Sequence, residues 1–381
     1  TAQLIDVSDD THLWSETYDR KLDNIFAIQD EIAATVTNQL KVTLLGNKAA
    51  TSREVDAVAY ERYLEARHVR RAGTPEAYQR SNDLADAALA IEPGFARPWI
   101  LKSGNFSNMA NAGMLPQDEG YELARAAAEN AVSINPDNAG SHSVLAWVAL
   151  FHDNDLNRAA NSLEQALQLD AANLGVLSSS AALLDRLRRL DSSLAVREFI
   201  AARDPLNPVA HFNLGYTQFA LRNFDDAAKA FQAVMDISPD RRGGYLWLSQ
   251  ALLLGGDAGA ACDAAQKEPF EPFRKLATAY CAFTLGDIEA ADASLDWLVR
   301  HGGDRMPYDI ASVYAYRKYG PGIEEWVAKA VSQNDNGVGD PAMDPFFDVV
   351  LEDPKWISLM QALGKTRAQL DSIEFSVDLP E

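Results

Sequence analysis

The sequence predicts an all-α solenoid, in which pairs of antiparallel helices follow one another along the chain. Three observations support this prediction. Units beginning at Leu174, Pro208 and Arg242 follow one another at an even spacing of 34 residues. Within each unit, apolar residues recur at helical spacing in two runs. Small residues recur at matched places in the two runs, where antiparallel helices would approach each other closely.

The unit spanning residues 208–241 shows the pattern most clearly. Five positions carry it: Leu214, Gly215, Ala227, Phe231 and Pro239. This arrangement resembles the tetratricopeptide repeat (TPR), whose period is about 34 residues. The resemblance implies a right-handed superhelix in which Gly215 and Ala227 meet where the two helices are closest. Proline follows the second helix because it cannot continue one.

The helical pattern continues through most of the chain. We expect about eight TPR or TPR-like helix pairs over residues 56–335, with irregular first and last pairs, as is common at the ends of solenoids. Residues 336–381 predict a loop and then capping helices, the first beginning at Pro354 after Asp353. In the unit that begins at Leu174, Arg197 stands where the repeat usually has an aromatic residue.

Residues 1–50 follow a different pattern. Residues 1–7 and 12–18 are strand candidates separated by turn-forming residues, so they predict a short β-hairpin. A helix should follow, with apolar residues from Ile25 to Leu44 on one stripe. Because the first strand starts at residue 1, we expect the chain to be part of a longer protein.

Both ends of the chain resemble parts of one kind of protein. The segments TAQLID, HLWSETYDR and IFAIQDEIA resemble the C-terminal part of a small α/β domain related to the TolB amino-terminal domain. The segments YDIASVYAYRKYG and DPFFDVVLEDPKWISLMQALG resemble the closing part of TPR regions in bacterial class III adenylate or guanylate cyclase-like signalling proteins. The resemblance implies a cyclase-associated interaction and regulatory region. Some related proteins carry a winged-helix DNA-binding domain instead, so the output domain stays open.

The charge of the chain argues against two classes of partner. With 55 acidic and 34 basic residues, the net charge is −21, which disfavours nucleic acid and anionic membrane surfaces. No run of 18 apolar residues is present, so this segment is not expected to insert into a membrane. The resemblance leaves two locations open, the cytoplasm or the periplasmic side of an inner-membrane protein.

The sequence offers no pattern typical of catalysis, and we predict a non-enzymatic chain without cofactor or metal. The six histidines are scattered and lack the spacing of metal ligands. Asp225 and Asp226 lie at a helix start, where negative charge complements the helix dipole. Residues 332–340 resemble a calcium loop only weakly, since Met343 occupies the place of the required final glutamate.

The concave face is the candidate binding site, since the first helix of each TPR pair lines it. A groove lined by aromatic residues could hold a peptide or a helix of a partner protein. The alternative is that several of these rings pack between neighbouring repeats. The predicted groove positions are Ser143, Trp147, Ser178, Asp185, Phe212, Tyr216, Phe219, Trp247 and Gln250.

Self-association is the alternative function. The hairpin would leave an unpaired strand edge, and such edges recruit other strands. One helix and one hairpin also bury little apolar surface, so we expect a homodimer through this region; the competing arrangement places the helix on the first TPR pair. The predicted dimer contacts are Leu4, Leu13, Trp14, Ile28 and Ile32.

The two cysteines, Cys262 and Cys281, are too few for a disulfide framework, and we expect them to be reduced. They fall on consecutive helices, which are antiparallel, so their ends could lie side by side. A disulfide would become possible outside the cytoplasm.

Overall fold

The computed structural model describes residues 2–6, 11–16, 55–111, 114–333, 335 and 343–380. The chain divides into two units, residues 1–56 and 57–381. In the first unit, β1 (Ala2–Asp6) and β2 (Thr11–Glu16) pair as an antiparallel hairpin. Leu4 is opposite Trp14 and Ile5 is opposite His12, so Leu13 is an extra residue that forms a β-bulge.

The second unit is an array of eight consecutive helix pairs within the described residues. Its helices are α1 (Ala57–Val69), α2 (Pro75–Ile91), α3 (Ala96–Asn111), α4 (Gln117–Ile134), α5 (Ala139–Val148), α6 (Leu156–Leu169), α7 (Leu174–Arg186), α8 (Leu190–Arg203), α9 (Pro208–Ala220), α10 (Phe224–Ile237), α11 (Gly244–Leu254), α12 (Ala258–Lys267), α13 (Glu271–Thr284), α14 (Ile288–Gly302), α15 (Pro307–Tyr316) and α16 (Gly320–Ser332). The predicted helical-repeat solenoid is confirmed.

A shorter segment follows the array. It contains a 3-10 helix (Pro345–Val350), α17 (Pro354–Ala362) and α18 (Arg367–Asp371), and we call residues 372–380 the tail. Asp353 accepts a hydrogen bond from the backbone N–H of Lys355, which fixes the start of α17 where the sequence predicts it. Thr366 and Gln369 form a capping box that begins α18.

The turns inside the pairs repeat with the period of the sequence. Asn154, Arg188, Arg222 and Gly256 each follow the first helix of their pair and each have positive φ, from 53° to 94°. They are separated by steps of 34 residues. This left-handed conformation reverses the chain within two residues, and it costs a non-glycine residue roughly 1–2 kcal/mol. The packing of the two helices must therefore compensate for it.

The array curves with the first helices of the pairs on its inner side. At most junctions in the described part of the chain, the first helix of one pair directly contacts the first helix of the next pair. The second helices of neighbouring pairs make no comparable contact among these residues. We call the surface formed by the first helices, which are the odd-numbered helices α1 to α15, the inner face.

Gly215 lies at the tightest point of the fifth pair. A Cβ added there would lie 2.8 and 2.9 Å from two ring carbons of Phe231 on α10, closer than van der Waals contact allows. The sequence predicts a close approach at Gly215, with Ala227 as the residue that Gly215 meets. Ala227 is fully buried nearby, but the aromatic ring of Phe231 is what lies against the glycine.

Cys262 on α12 and Cys281 on α13 form a disulfide, with 5.5 Å between their Cα atoms. The prediction of free thiols is therefore wrong, and the described residues contain no free cysteine. The physical reason is local. Consecutive antiparallel helices bring two residues 19 positions apart to the Cα separation that a disulfide requires.

No helix in the described residues is both long enough and apolar enough to span a membrane.

Replacing Gly215 by leucine should destabilise the protein by about 1–3 kcal/mol, because the new side chain would overlap the ring of Phe231. Urea denaturation followed by circular dichroism measures the change. Gly259→Leu is the matched control, since a Cβ there would meet only the Asp257 carboxylate, at 3.7 Å. Equal stability of the two variants would contradict the close contact at Gly215.

Reducing the Cys262–Cys281 disulfide should lower the free energy of unfolding by about 3 kcal/mol, as expected for a closed loop of this length. Denaturation with and without a thiol reductant measures the loss. The double variant Cys262→Ser/Cys281→Ser should denature identically in both conditions. Thiol titration of the denatured wild type without reductant should find no reactive thiol.

Candidate protein-binding groove

The nine predicted groove positions all lie on first helices of the array. They belong to α5, α7, α9 and α11. The structure divides them by burial. Phe212, Tyr216 and Trp247 remain partly exposed, whereas Phe219 is 2% and Gln250 is 6% exposed. Buried positions can support the groove but present little surface to a partner.

Trp247 is the centre of an aromatic cluster between the fifth and sixth pairs. Its ring centroid lies 5.4 Å from Tyr216, 5.5 Å from Phe219 and 5.8 Å from Phe231. Phe212 completes the cluster at 6.0 Å from Trp247. The rings thus pack between neighbouring repeats, as one of the two sequence interpretations proposed. Three of them also keep an exposed part, so the two interpretations are compatible.

A cation lies beside this cluster. The guanidinium carbon of Arg241 is 5.2 Å from the ring centroid of Phe212. Burial lowers the pKa of Arg241 from its usual value, yet arginine stays protonated at all physiological pH values. The groove at the fifth and sixth pairs therefore combines aromatic surface with a fixed positive charge, a combination that favours acidic and apolar partner groups.

The predicted groove residues Ser143, Trp147 and Ser178, on α5 and α7, contact other residues of the chain. Ser143 donates a hydrogen bond to Ser179 over 2.9 Å and is buried. Trp147 packs on Phe151 with 4.3 Å between ring centroids. Ser178 accepts a hydrogen bond from the guanidinium of Arg197 through its backbone carbonyl, at 3.2 Å.

Asp185 belongs to a buried ion pair and does not face a ligand. Its carboxylate accepts hydrogen bonds from Arg197 and from Thr217, both at 3.2 Å. Both charged side chains are less than a tenth exposed. Burial raises the pKa of Asp185, an effect that the positive charge of Arg197 opposes. The sequence signal for this pair was the arginine at an aromatic position of the repeat, and its partner could not be read from spacing alone.

The C-terminal segment covers part of the inner face, which the sequence did not predict. The 3-10 helix packs on α15, and the ring of Phe346 stacks on Tyr280 with 4.5 Å between centroids. Phe346 also meets Tyr316 edge-on at 5.4 Å. Arg222, in the turn after α9, forms an ion pair with Asp348 of this segment. The chain therefore occupies some of its own groove at the last pairs.

Three carboxylates surround the start of α15, but they form no metal site. Asp335 accepts from the backbone N–H of Tyr308 at 3.3 Å, and Asp344 accepts from the Tyr308 hydroxyl at 3.1 Å. Burial raises the pKa of Asp309 to about 7, with the charges of Asp335 and Asp344 adding to the effect. Burial likewise raises the pKa of Asp344 to about 6. Among the described residues, no group of three acidic, histidine or cysteine side chains has the geometry of a metal site.

The predicted dimer contact stays a prediction. Ile28 and Ile32 lie outside the described residues, and for Leu4, Leu13 and Trp14 the structure describes the backbone of the hairpin.

Comparison with known proteins agrees with the geometry. A family model described as the tetratricopeptide repeat matches residues 209–241, the unit that carries Gly215 and Phe231. The fold is a TPR solenoid. Human IFIT1, solved as a dimer with PPP-AAAA, aligns with a TM-score of 0.50 and 14% identity over 80% of each chain. PilW, a type IV pilus biogenesis factor, aligns with a TM-score of 0.44 and 22% identity, over 55% of this chain and 97% of PilW.

One relative is similar in sequence over a short stretch. "Putative adenylate cyclase 3" of Rhizobium meliloti (strain 1021) is 34% identical over 98 residues. The alignment covers 25% of this chain and 17% of the relative. The chain therefore spans under a fifth of that protein. Tetratricopeptide repeats stack into solenoids whose concave surfaces are used for binding.

Replacing Arg197 by methionine should destabilise the protein by about 3–5 kcal/mol, because Asp185 would keep a buried charge without its partner. The double variant Arg197→Met/Asp185→Leu should recover part of this loss. In the single variant the deficit should shrink as the pH falls, since protonation of Asp185 removes the unpaired charge. Urea denaturation at pH 5 and pH 8 measures all three effects. A double variant less stable than the single one would contradict this account.

Proposed function

We propose that this chain is the non-catalytic, protein-binding and regulatory TPR region of a bacterial signalling protein that carries a nucleotide cyclase domain. The observation that supports it most directly is the partly exposed aromatic row of Phe212, Tyr216 and Trp247 on the inner face, with Arg241 beside it. Exposed aromatic surface next to a cation favours a protein or peptide partner with apolar and acidic groups.

The cyclase part of the proposal has two supports. One relative with a stretch of 34% identity is named as an adenylate cyclase. The segments near both ends of the chain resemble parts of cyclase-like signalling proteins, including a TolB-related domain before the repeats. In such a protein the TPR region would sense a partner and pass the signal to the catalytic domain.

The disulfide supports a location on the periplasmic side of the inner membrane. Disulfides persist in oxidising compartments such as the periplasm, whereas the cytosol keeps thiols reduced. Cys262 and Cys281 join two consecutive helices and would serve there as a permanent cross-link.

Site-directed photo-crosslinking in the full-length protein, produced in its own host, tests the binding part. A photoreactive residue at Tyr216 should give a discrete cross-linked species, while the same residue at Leu169 should not. Leu169 is the matched control because it is 41% exposed and lies at the end of a second helix, away from the inner face. Equal cross-linking at both positions would reject the groove as the binding site.

Cyclic nucleotide formation by the same full-length protein tests the regulatory part. Tyr216→Glu should change the rate of cyclic nucleotide formation by several-fold, because it weakens partner binding at a partly exposed position, and circular dichroism should show the repeat array still folded. A full-length protein that forms no cyclic nucleotide would reject the association with a cyclase.

A further inference from the structure

The tail has the geometry of a bound peptide. Residues 374–380 contain no helix or strand, and burial alternates over residues 373–378. Ile373 and Phe375 are 8% and 6% exposed, Val377 is partly buried, and Glu374 and Ser376 between them are exposed. Alternation with a period of two is how an extended peptide places its side chains into a groove.

Arg189 holds the backbone of the tail. It lies in the turn between α7 and α8, and its two terminal nitrogens donate to the carbonyl oxygens of Ile373 at 2.5 Å and Phe375 at 2.6 Å. A guanidinium that grips two backbone carbonyls recognises an extended chain whatever its side chains are. The apolar positions then add selectivity, because Ile373 and Phe375 share a hydrophobic cluster with residues of α5 to α8.

The two stretches of chain that Arg189 joins are opposite in charge along the sequence. The stretch Leu183–Leu190 carries three arginines, Arg186, Arg188 and Arg189, and its one acidic residue, Asp185, is paired with Arg197. Residues 371–381 carry four acidic residues and no basic one. Charge complementarity of this kind raises association rates and excludes basic segments.

Space remains beside the tail. A cavity of about 420 Å³, open to solvent, lies between residues 153–157 at the start of α6 and residues 363–373. The tail also contributes no regular secondary structure to the array, so its release would break no helix.

We propose that residues 373–377 are an intramolecular peptide ligand, and that the site around Arg189 on the third and fourth pairs binds extended acidic segments of a partner protein in their place. The partner segment would have apolar side chains at three alternating positions and acidic residues between or beside them. This docking site is separate from the aromatic row at the fifth and sixth pairs. The proposal rests on the proposed protein-binding function and adds a second binding site to it. In this arrangement the tail keeps the site closed until such a segment competes for it.

A labelled synthetic peptide of residues 371–381, DSIEFSVDLPE, tests the proposal by fluorescence anisotropy on the full chain. The wild type should bind it weakly, because its own tail occupies the site. The variant Ile373→Asp/Phe375→Asp, with a destabilised tail, should bind at least tenfold more tightly. Adding Arg189→Ala to that variant should weaken binding at least tenfold. A folded double variant that binds no better than the wild type would overturn the proposal, as would binding that is insensitive to Arg189→Ala.

Two control peptides test the recognition chemistry. Replacing the isoleucine and phenylalanine of the peptide by serine should abolish binding, since the apolar anchors are lost. Replacing its acidic residues by lysine should weaken binding at least tenfold and reverse its salt dependence. Equal binding of the lysine peptide would overturn the role assigned to charge.

Hydrogen exchange keeps the proposal testable if the double variant does not fold. In the milder variant Phe375→Ala, an excess of unlabelled peptide should accelerate amide exchange of the chain's own residues 373–377, because the added peptide displaces them. Unchanged exchange at saturating peptide would show that the tail is a fixed part of the fold and overturn the proposal. Neither readout uses Tyr216 or the cyclase, so failure here and failure of the proposed function are distinguishable.

Discussion

The close approach of the two helices within each pair is the contact on which the rest of the structure depends. At Gly215 the absence of a side chain lets the ring of Phe231 lie directly against the backbone of α9. Ala181 and Ala279 are buried at the corresponding positions on the first helices of the fourth and seventh pairs. Because the two helices of a pair lie this close together, the turn between them must reverse the chain sharply. That requirement explains the positive φ values that recur at steps of 34 residues.

The first helices of successive pairs form the inner face of the array, and the second helices lie on the opposite side and leave that face open. The chain covers part of that face with its own C-terminal segment. Phe346 stacks on Tyr280 at one end, and Phe375 joins the hydrophobic cluster of the third and fourth pairs at the other. The aromatic row at Tyr216 and Trp247 keeps exposed surface between these two regions. The inner face thus has parts that the chain itself covers and parts that it leaves open.

Where the sequence departs from the repeat pattern, an ion pair, a disulfide or a set of hydrogen bonds joins the neighbouring helices. Arg197 replaces an aromatic ring, and a buried carboxylate at Asp185 neutralises it. Residues 268–270 connect the sixth pair to the seventh. The disulfide between Cys262 and Cys281 cross-links α12 and α13, the two helices on either side of this connection. Glu268 contributes to that connection, since its carboxylate accepts from the backbone N–H groups of Gly243 and Leu246. Each compensation joins neighbouring helices, which is the range over which a solenoid distributes its stability.

The sequence by itself determined the repeat, the positions of the helix pairs and the existence of a close contact at Gly215. These features are local, because apolar periodicity, small residues and prolines act within one unit of about 34 residues. Only the tertiary structure decided which side chains of different helices meet. It paired Asp185 with Arg197 and joined the two cysteines that the sequence left as thiols. It also placed the tail on Arg189, 184 residues earlier in the chain. The ion pair and the disulfide depend on which side chains face each other between consecutive helices, and the contact of the tail depends on how all the intervening pairs stack. Apolar periodicity within one unit encodes neither.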